Sequence, residues 1–175
     1  HIGIAYDIEL TEEGKKHKLY SSKPNKFTSP GFNFDEVEIP PNNAVLLATD
    51  KINKFQALHF KVGNSEIWGL QYHPEIPYDY MIKLIKHRKQ RLLNIKSVKD
   101  EKEIQQHIDL REQEKNKLTD ERRTLELKNW LNYIKESNEN KPSISPLVLS
   151  VIEFAAGTLG SPGIVMIAPH IITMN

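Results

Sequence analysis

The chain has 175 residues, with 24 Lys and Arg against 23 Asp and Glu, seven His and no Cys. That length suits one domain with at most an appendage, and it buries a core without staples. The absence of Cys excludes a disulfide scaffold, a thiolate metal site and a cysteine nucleophile on this chain, and a net charge of +1 makes no general case for nucleic acid or a membrane surface as partner.

Charged residues at 27%, hydrophobic ones at 38% and a mean hydropathy of -0.53 describe a polar globular protein. No basic stretch followed by an apolar run opens the chain, so no signal peptide is expected and the default location is cytoplasmic. The first residue is His1 rather than Met, which is read as a fragment or a processed product.

Residues 1 to about 77 read as strands and turns. Ile4 to Leu10 is β-compatible, and Thr11-Glu12-Glu13-Gly14 is a turn or short helix. Ser21 to Gly31, with Pro24, Pro30 and Gly31, is expected to be loop. Phe32 to Ile39 alternates as a strand and stops at Pro40-Pro41. Asn42-Asn43 turns into a buried strand at Ala44 to Ala48. Phe55 to Val62 alternates, Gly63-Asn64 makes a hairpin turn, and Glu66 to Tyr72 is the next strand.

From residue 78 the spacing becomes helical. Tyr78 to Ile95 predicts one helix with Met81, Ile82, Ile85, Leu92 and Leu93 inward. Its outer face is basic, with Lys83, Lys86, His87, Arg88, Lys89 and Arg91, and is read as solvated rather than as a phosphate or RNA site. Ser97-Val98-Lys99-Asp100 has capping-box spacing for a second helix carrying Ile104 and Ile108. A third helix is expected from Thr119 to about Lys135, with Leu127, Trp130, Leu131 and Ile134 on one apolar face.

Residues 138 to 175 differ in kind. From position 141 on, Lys141 and Glu153 are the only charges. Neither apolar run there, Leu147 to Ala156 or Ile164 to Ala168, reaches the roughly 18 residues that a membrane helix needs.

The stretch that carries chemistry is Trp68-Gly69-Leu70-Gln71-Tyr72-His73-Pro74-Glu75. A strand ends in a His, and functional side chains collect at the carboxyl ends of strands in open α/β sheets. Pro74 keeps His73 extended, so Glu75, two residues on, is able to fold back to one ring nitrogen. That contact sets the tautomer and leaves the other nitrogen free for a nucleophile's proton. Spacing alone leaves two readings open: two-thirds of a triad, or an ordinary loop pair at a strand end. His17, His59, His87, His107 and His170 show no metal-ligand spacing, and no G-x-x-x-x-G-K-S/T loop is present, so neither metal nor nucleotide cofactor is expected.

Those eight consecutive residues resemble the C-terminal signature of class I glutamine amidotransferase domains, W-G-x-Q-F/Y-H-P-E. Ile2-Gly3, Asp35-Glu36-Val37 with Ile39-Pro40, and Phe55-Gln56-Ala57 resemble flanking segments of the branch related to the GMP synthase glutaminase domain. Arg122 to Leu131 is similar to a C-terminal extension of stand-alone bacterial members. The resemblance covers residues 1 to about 137.

The resemblance implies an α/β fold: the C-terminal portion of a flavodoxin-like, doubly wound domain over residues 1–96. A helical extension follows over 97–137, then an apolar tail over 138–175 that the resemblance does not reach. It implies glutamine hydrolysis by a Cys-His-Glu triad, with His73 as acid/base and Glu75 as its orienting partner. The family tends to carry a His near the Asp35 stretch, and Asn33 sits in that neighbourhood. No Cys is present, so the chain is expected to be inactive without an upstream half that carries the nucleophile. The implied partners are glutamine, that upstream half and an acceptor synthase chain. The alternative is a non-catalytic binding module on the same scaffold. The isolated portion, with unpaired sheet edges, is expected to be marginally stable or to associate.

Overall fold

The computed structural model describes residues 1–63, 65–139 and 165–167. The apolar tail otherwise lies outside the described residues, as does Asn64. Strand β1 is Ala5–Leu10, β2 Lys26–Ser29, β3 Val45–Thr49, β4 Ala57–Val62, β5 Ser65–Leu70 and β6 Val165–Ile167. They form one sheet in the order β2-β1-β3-β4-β5-β6, and every strand pair in it is antiparallel. Helices are α1 Glu12–Lys16, α2 Tyr78–His87, α3 Lys89–Asn94, α4 Glu101–Lys115, α5 Asp120–Arg123 and α6 Leu125–Glu139. The expected α/β class with a helical extension is observed.

Two cores flank this arrangement. One joins Ile8, Leu19, Leu47, Trp68, Leu70 and Tyr72 of the sheet region to Trp130 of α6. The other joins Ile4 and Phe32 to Met81, Ile82 and Ile85 of α2, Leu92 of α3, and Ile104 and Ile108 of α4. The first core fastens the helical extension onto the strand that leads to His73.

Several local expectations are corrected. Ser21 to Gly31 is not all loop: Pro24 and Pro30 bracket β2, an edge strand paired to β1, where a missing N–H on either side does no harm. Phe32 to Ile39 is not a strand and makes a single bridge, Ile2 to Phe32. Its aromatics are used for packing instead. Phe32 and Phe34 meet edge to face at 5.5 Å, and Arg88 and Arg91 lie over them at 5.2 and 5.0 Å. Two cations of the basic helix face therefore also lie over rings, Arg88 half-buried and Arg91 still exposed to solvent.

Tyr78 to Ile95 is two helices, because Arg88 leaves helical geometry at φ -92°, ψ 7°. The third helix likewise breaks at Thr124. The capping box sits three residues later than expected. Asp100 caps the Glu103 amide at 2.9 Å, and the Glu103 carboxylate reaches back to the Lys99 amide at 2.7 Å.

Helix α1 is seated by Thr11, whose hydroxyl donates to the Leu46 carbonyl at 2.7 Å and accepts from the Gly14 amide at 3.0 Å. Gly14 rests directly on the backbone of β3. A Cβ there meets the Leu47 carbonyl oxygen far inside contact distance. Gly14→Ala is expected to lower stability by about 1–3 kcal/mol in urea unfolding, since backbone is on both sides of the clash. Unchanged stability would contradict this packing.

Candidate functional site

The β5 strand is paired along its length to β4, from Val62 with Ser65 to Ala57 with Leu70. Beyond it the Gln71 amide donates to the Gln56 carbonyl at 2.9 Å, which carries the pairing one residue nearer to His73. The His73 amide then donates to the Pro30 carbonyl at 2.7 Å, and the Ile76 amide closes the turn on the His73 carbonyl at 3.2 Å. Pro74 cannot continue the ladder, and the chain turns there.

Inside that turn, His73 Nδ1 lies 2.8 Å from Glu75 Oε1. The ring is buried, whereas the Glu75 side chain is 34% exposed. His73 Nε2 is also buried and has no hydrogen-bond partner among the described residues. A carboxylate at Nδ1 holds the N–H there, so Nε2 presents its lone pair. The arrangement expected from Pro74 and the two-residue spacing is thus present as geometry.

Behind the turn lies a polar layer. Asn33 Nδ2 donates to Gln71 Oε1 at 3.0 Å, while Asn33 Oδ1 is buried without a partner among the described residues. His1 Nε2 lies 3.0 Å from Asp50 Oδ2, and Gln56 Nε2 donates to the same oxygen at 2.6 Å. Burial pushes the Asp50 carboxyl upward, but hydrogen bonds from His1 and from the Asn53 and Ile52 amides outweigh it and leave it below the usual range. Gln56, from the Phe55-Gln56-Ala57 segment, therefore serves as a bracket between β5 and Asp50.

Three contributions were not visible in the spacing. Pro30 supplies a carbonyl, Asp50 an Asx turn, and Arg123 of α5 donates through Nη1 to the Pro74 carbonyl at 2.5 Å. The Asp50-Lys51-Ile52-Asn53 run carries an Asx-turn signal. Nothing in the local sequence pairs Arg123 with a residue 49 positions earlier.

The structure also brings together histidines that the sequence scatters. His17 Nε2 is 3.1 Å from His59 Nδ1. His59 Nε2 lies 2.8 Å from Glu66 Oε1, within ion-pair range but off the line of a hydrogen bond. Burial, then the neighbouring His59, pushes His17 down to about 4. Among the described residues no group of three or more His, Cys, Asp or Glu is arranged to hold a metal ion. A cleft of about 430 Å³ between β2 and the α4–α6 end is lined by Lys23, Lys26, Lys117 and Arg122, but by neither His73 nor Glu75. Its three lysines are already paired, to Glu126, to Asp7 and Glu9, and to Glu114. No helix among the described residues is long and apolar enough to cross a membrane.

The sequence is 40% identical over 73 residues to γ-glutamyl-L-1-hydroxyisopropylamide hydrolase from a Pseudomonas species. The match takes in 42% of this chain and 24% of that relative, so the chain spans about a quarter of the protein it matches. No family model and no solved structure matches the chain.

Proposed function

We propose that this chain supplies the acid/base half of a glutamine-amidotransferase-like amide hydrolase, with His73 as the proton carrier and Glu75 as the group that orients it. The observation that carries this is the pairing of His73 Nδ1 with Glu75 at 2.8 Å while Nε2 stays buried and unpartnered. An imidazole held in this way is built to exchange a proton at one nitrogen. The similarity to a γ-glutamyl amide hydrolase supports a γ-glutamyl amide, glutamine being the simplest, as the substrate class.

The chemistry requires a thiol from outside these 175 residues, because the chain holds none. His73 Nε2 takes the thiol proton, and the thiolate sulfur bonds to the γ-carbonyl carbon. As the C–N bond breaks, the same nitrogen returns the proton to the departing ammonia. A water then loses a proton to Nε2 and attacks the thioester. Glutamate leaves and the thiol is restored. Glu75 remains ionised throughout and compensates the imidazolium. Asn33, whose buried side-chain oxygen has no partner among the described residues, lies beside Gln71 in the neighbourhood where the family tends to carry a His. The flanking motifs favour the GMP synthase glutaminase branch.

The test is ammonia release from L-glutamine. The chain is assayed alone and as a single polypeptide fused behind the segment encoded immediately before His1. Release by the fusion but not by the chain alone is expected. A preceding segment without a cysteine, or no release by a folded fusion, would overturn the proposal in favour of a non-catalytic module.

A further inference from the structure

We infer that Arg123 and Glu126 of the helical extension are positioning residues that set the His73–Glu75 dyad. This rests on the catalytic reading above, but it concerns residues that neither the strand nor its signature contains.

Three consecutive residues at the end of β5 are held by three separate segments. The Tyr72 hydroxyl donates to Glu126 Oε1 at 2.8 Å. The His73 amide donates to the Pro30 carbonyl at 2.7 Å. The Pro74 carbonyl accepts from Arg123 Nη1 at 2.5 Å. The extension thus grips the chain immediately before and immediately after the imidazole.

Arg123 is suited to hold one orientation. It is 7% exposed, and its Nε and Nη2 are both fixed on Asp120 Oδ1, at 3.2 and 2.8 Å. A planar guanidinium tied at two nitrogens directs the third without free rotation, which an ammonium does not do. The carbonyl that it holds belongs to the peptide linking Pro74 to Glu75. Rotation of that peptide swings the Glu75 carboxylate away from Nδ1. Glu126 fixes where Arg123 sits. Its fully buried carboxylate takes the Tyr72 hydroxyl on one oxygen and Lys23 Nζ, at 2.7 Å, on the other. Arg123 and Glu126 are three residues apart, on either side of the α5–α6 break at Thr124. The break lets the two side chains straddle His73.

The experiment uses the full 175-residue chain, labelled with ¹⁵N, and reads the His73 ring tautomer with long-range ¹H–¹⁵N spectra. Amide exchange at Glu75 and Ile76 is read alongside. The unsubstituted chain is expected to show one tautomer, with the proton on Nδ1. Arg123→Gln and Arg123→Lys are expected to lose that single tautomer, with exchange about tenfold faster or more. Arg122→Gln, at an exposed neighbouring side chain, is expected to leave both readouts unchanged. If both Arg123 variants fail to fold, Asp120→Asn carries the test by freeing the guanidinium. Folded variants with an unchanged tautomer and unchanged exchange would overturn the positioning role. A proton on Nε2 in the unsubstituted chain would instead overturn the catalytic reading, so the two failures are distinguishable. A purely structural role for Arg123 would change the unfolding midpoint and leave the tautomer as it was.

Discussion

Replacing Glu126 with Ala is expected to lower the unfolding free energy by about 3–5 kcal/mol, the range for breaking one side of a buried ion pair. Glu126 is fully buried, and the Lys23 side chain is 5% exposed. Burial already holds the Lys23 ammonium below its ordinary range, with the Glu126 charge opposing that shift. Removing the carboxylate leaves a buried cation without its acid and the Tyr72 hydroxyl without its acceptor. Tyr20 is drawn in as well, since its hydroxyl lies 2.9 Å from that of Tyr72. The effect is measured by urea unfolding. Tyr72→Phe tests the smaller part, because it removes one hydrogen bond, and about 1 kcal/mol is expected. The double variant Lys23→Met with Glu126→Leu is expected to recover most of the loss, since it removes both charges and keeps the volume. A loss under about 1 kcal/mol for Glu126→Ala would show that the extension is not fastened through this pair.

Exchanging Glu75 for Gln, in the fused polypeptide that carries a thiol, is expected to lower kcat by about 10³–10⁴-fold with little change in KM. A carboxylate at Nδ1 accepts only, so it forces the ring proton onto that nitrogen. A carboxamide is able to turn its NH₂ toward Nδ1, which moves the ring proton to Nε2. The ring then has no lone pair where the thiol needs one. Stability should barely change, because the Glu75 side chain is 34% exposed and contacts the rest of the site through the imidazole. Rates within about tenfold of the unsubstituted fusion would mean that Glu75 does not govern the tautomer.

The dyad was legible in the sequence because all of its determinants are local. An apolar strand, a His, a Pro that turns the chain and a carboxylate lie within eight residues, and the geometry follows from them. The hairpin of β4 and β5 was legible for the same reason. What escaped was tertiary. Phe32 and Phe34 alternate like a strand, yet their rings pack edge to face beneath Arg88 and Arg91 and the segment forms a bridge rather than a ladder. On α6 the spacing puts the apolar face on Leu127, Trp130, Leu131 and Ile134. The observed seam runs through Glu126, Leu127, Trp130, Tyr133 and Ile134, with Leu131 45% exposed. A charged residue at the centre of a seam has no hydrophobic signal. Glu126 is inside because Lys23 and Tyr72, more than fifty residues away in the chain, are there to meet it. The His17–His59 contact is hidden in the same way by a separation of 42 residues.

The most direct measurement of the central claim is the rate of ammonia release from L-glutamine by the thiol-bearing fusion, with His73→Asn assayed beside it. The account predicts hydrolysis by the unsubstituted fusion and a loss of at least about 1,000-fold in the variant, which stays folded. Equal rates in the two, or no release by a folded fusion that carries the cysteine, would contradict it.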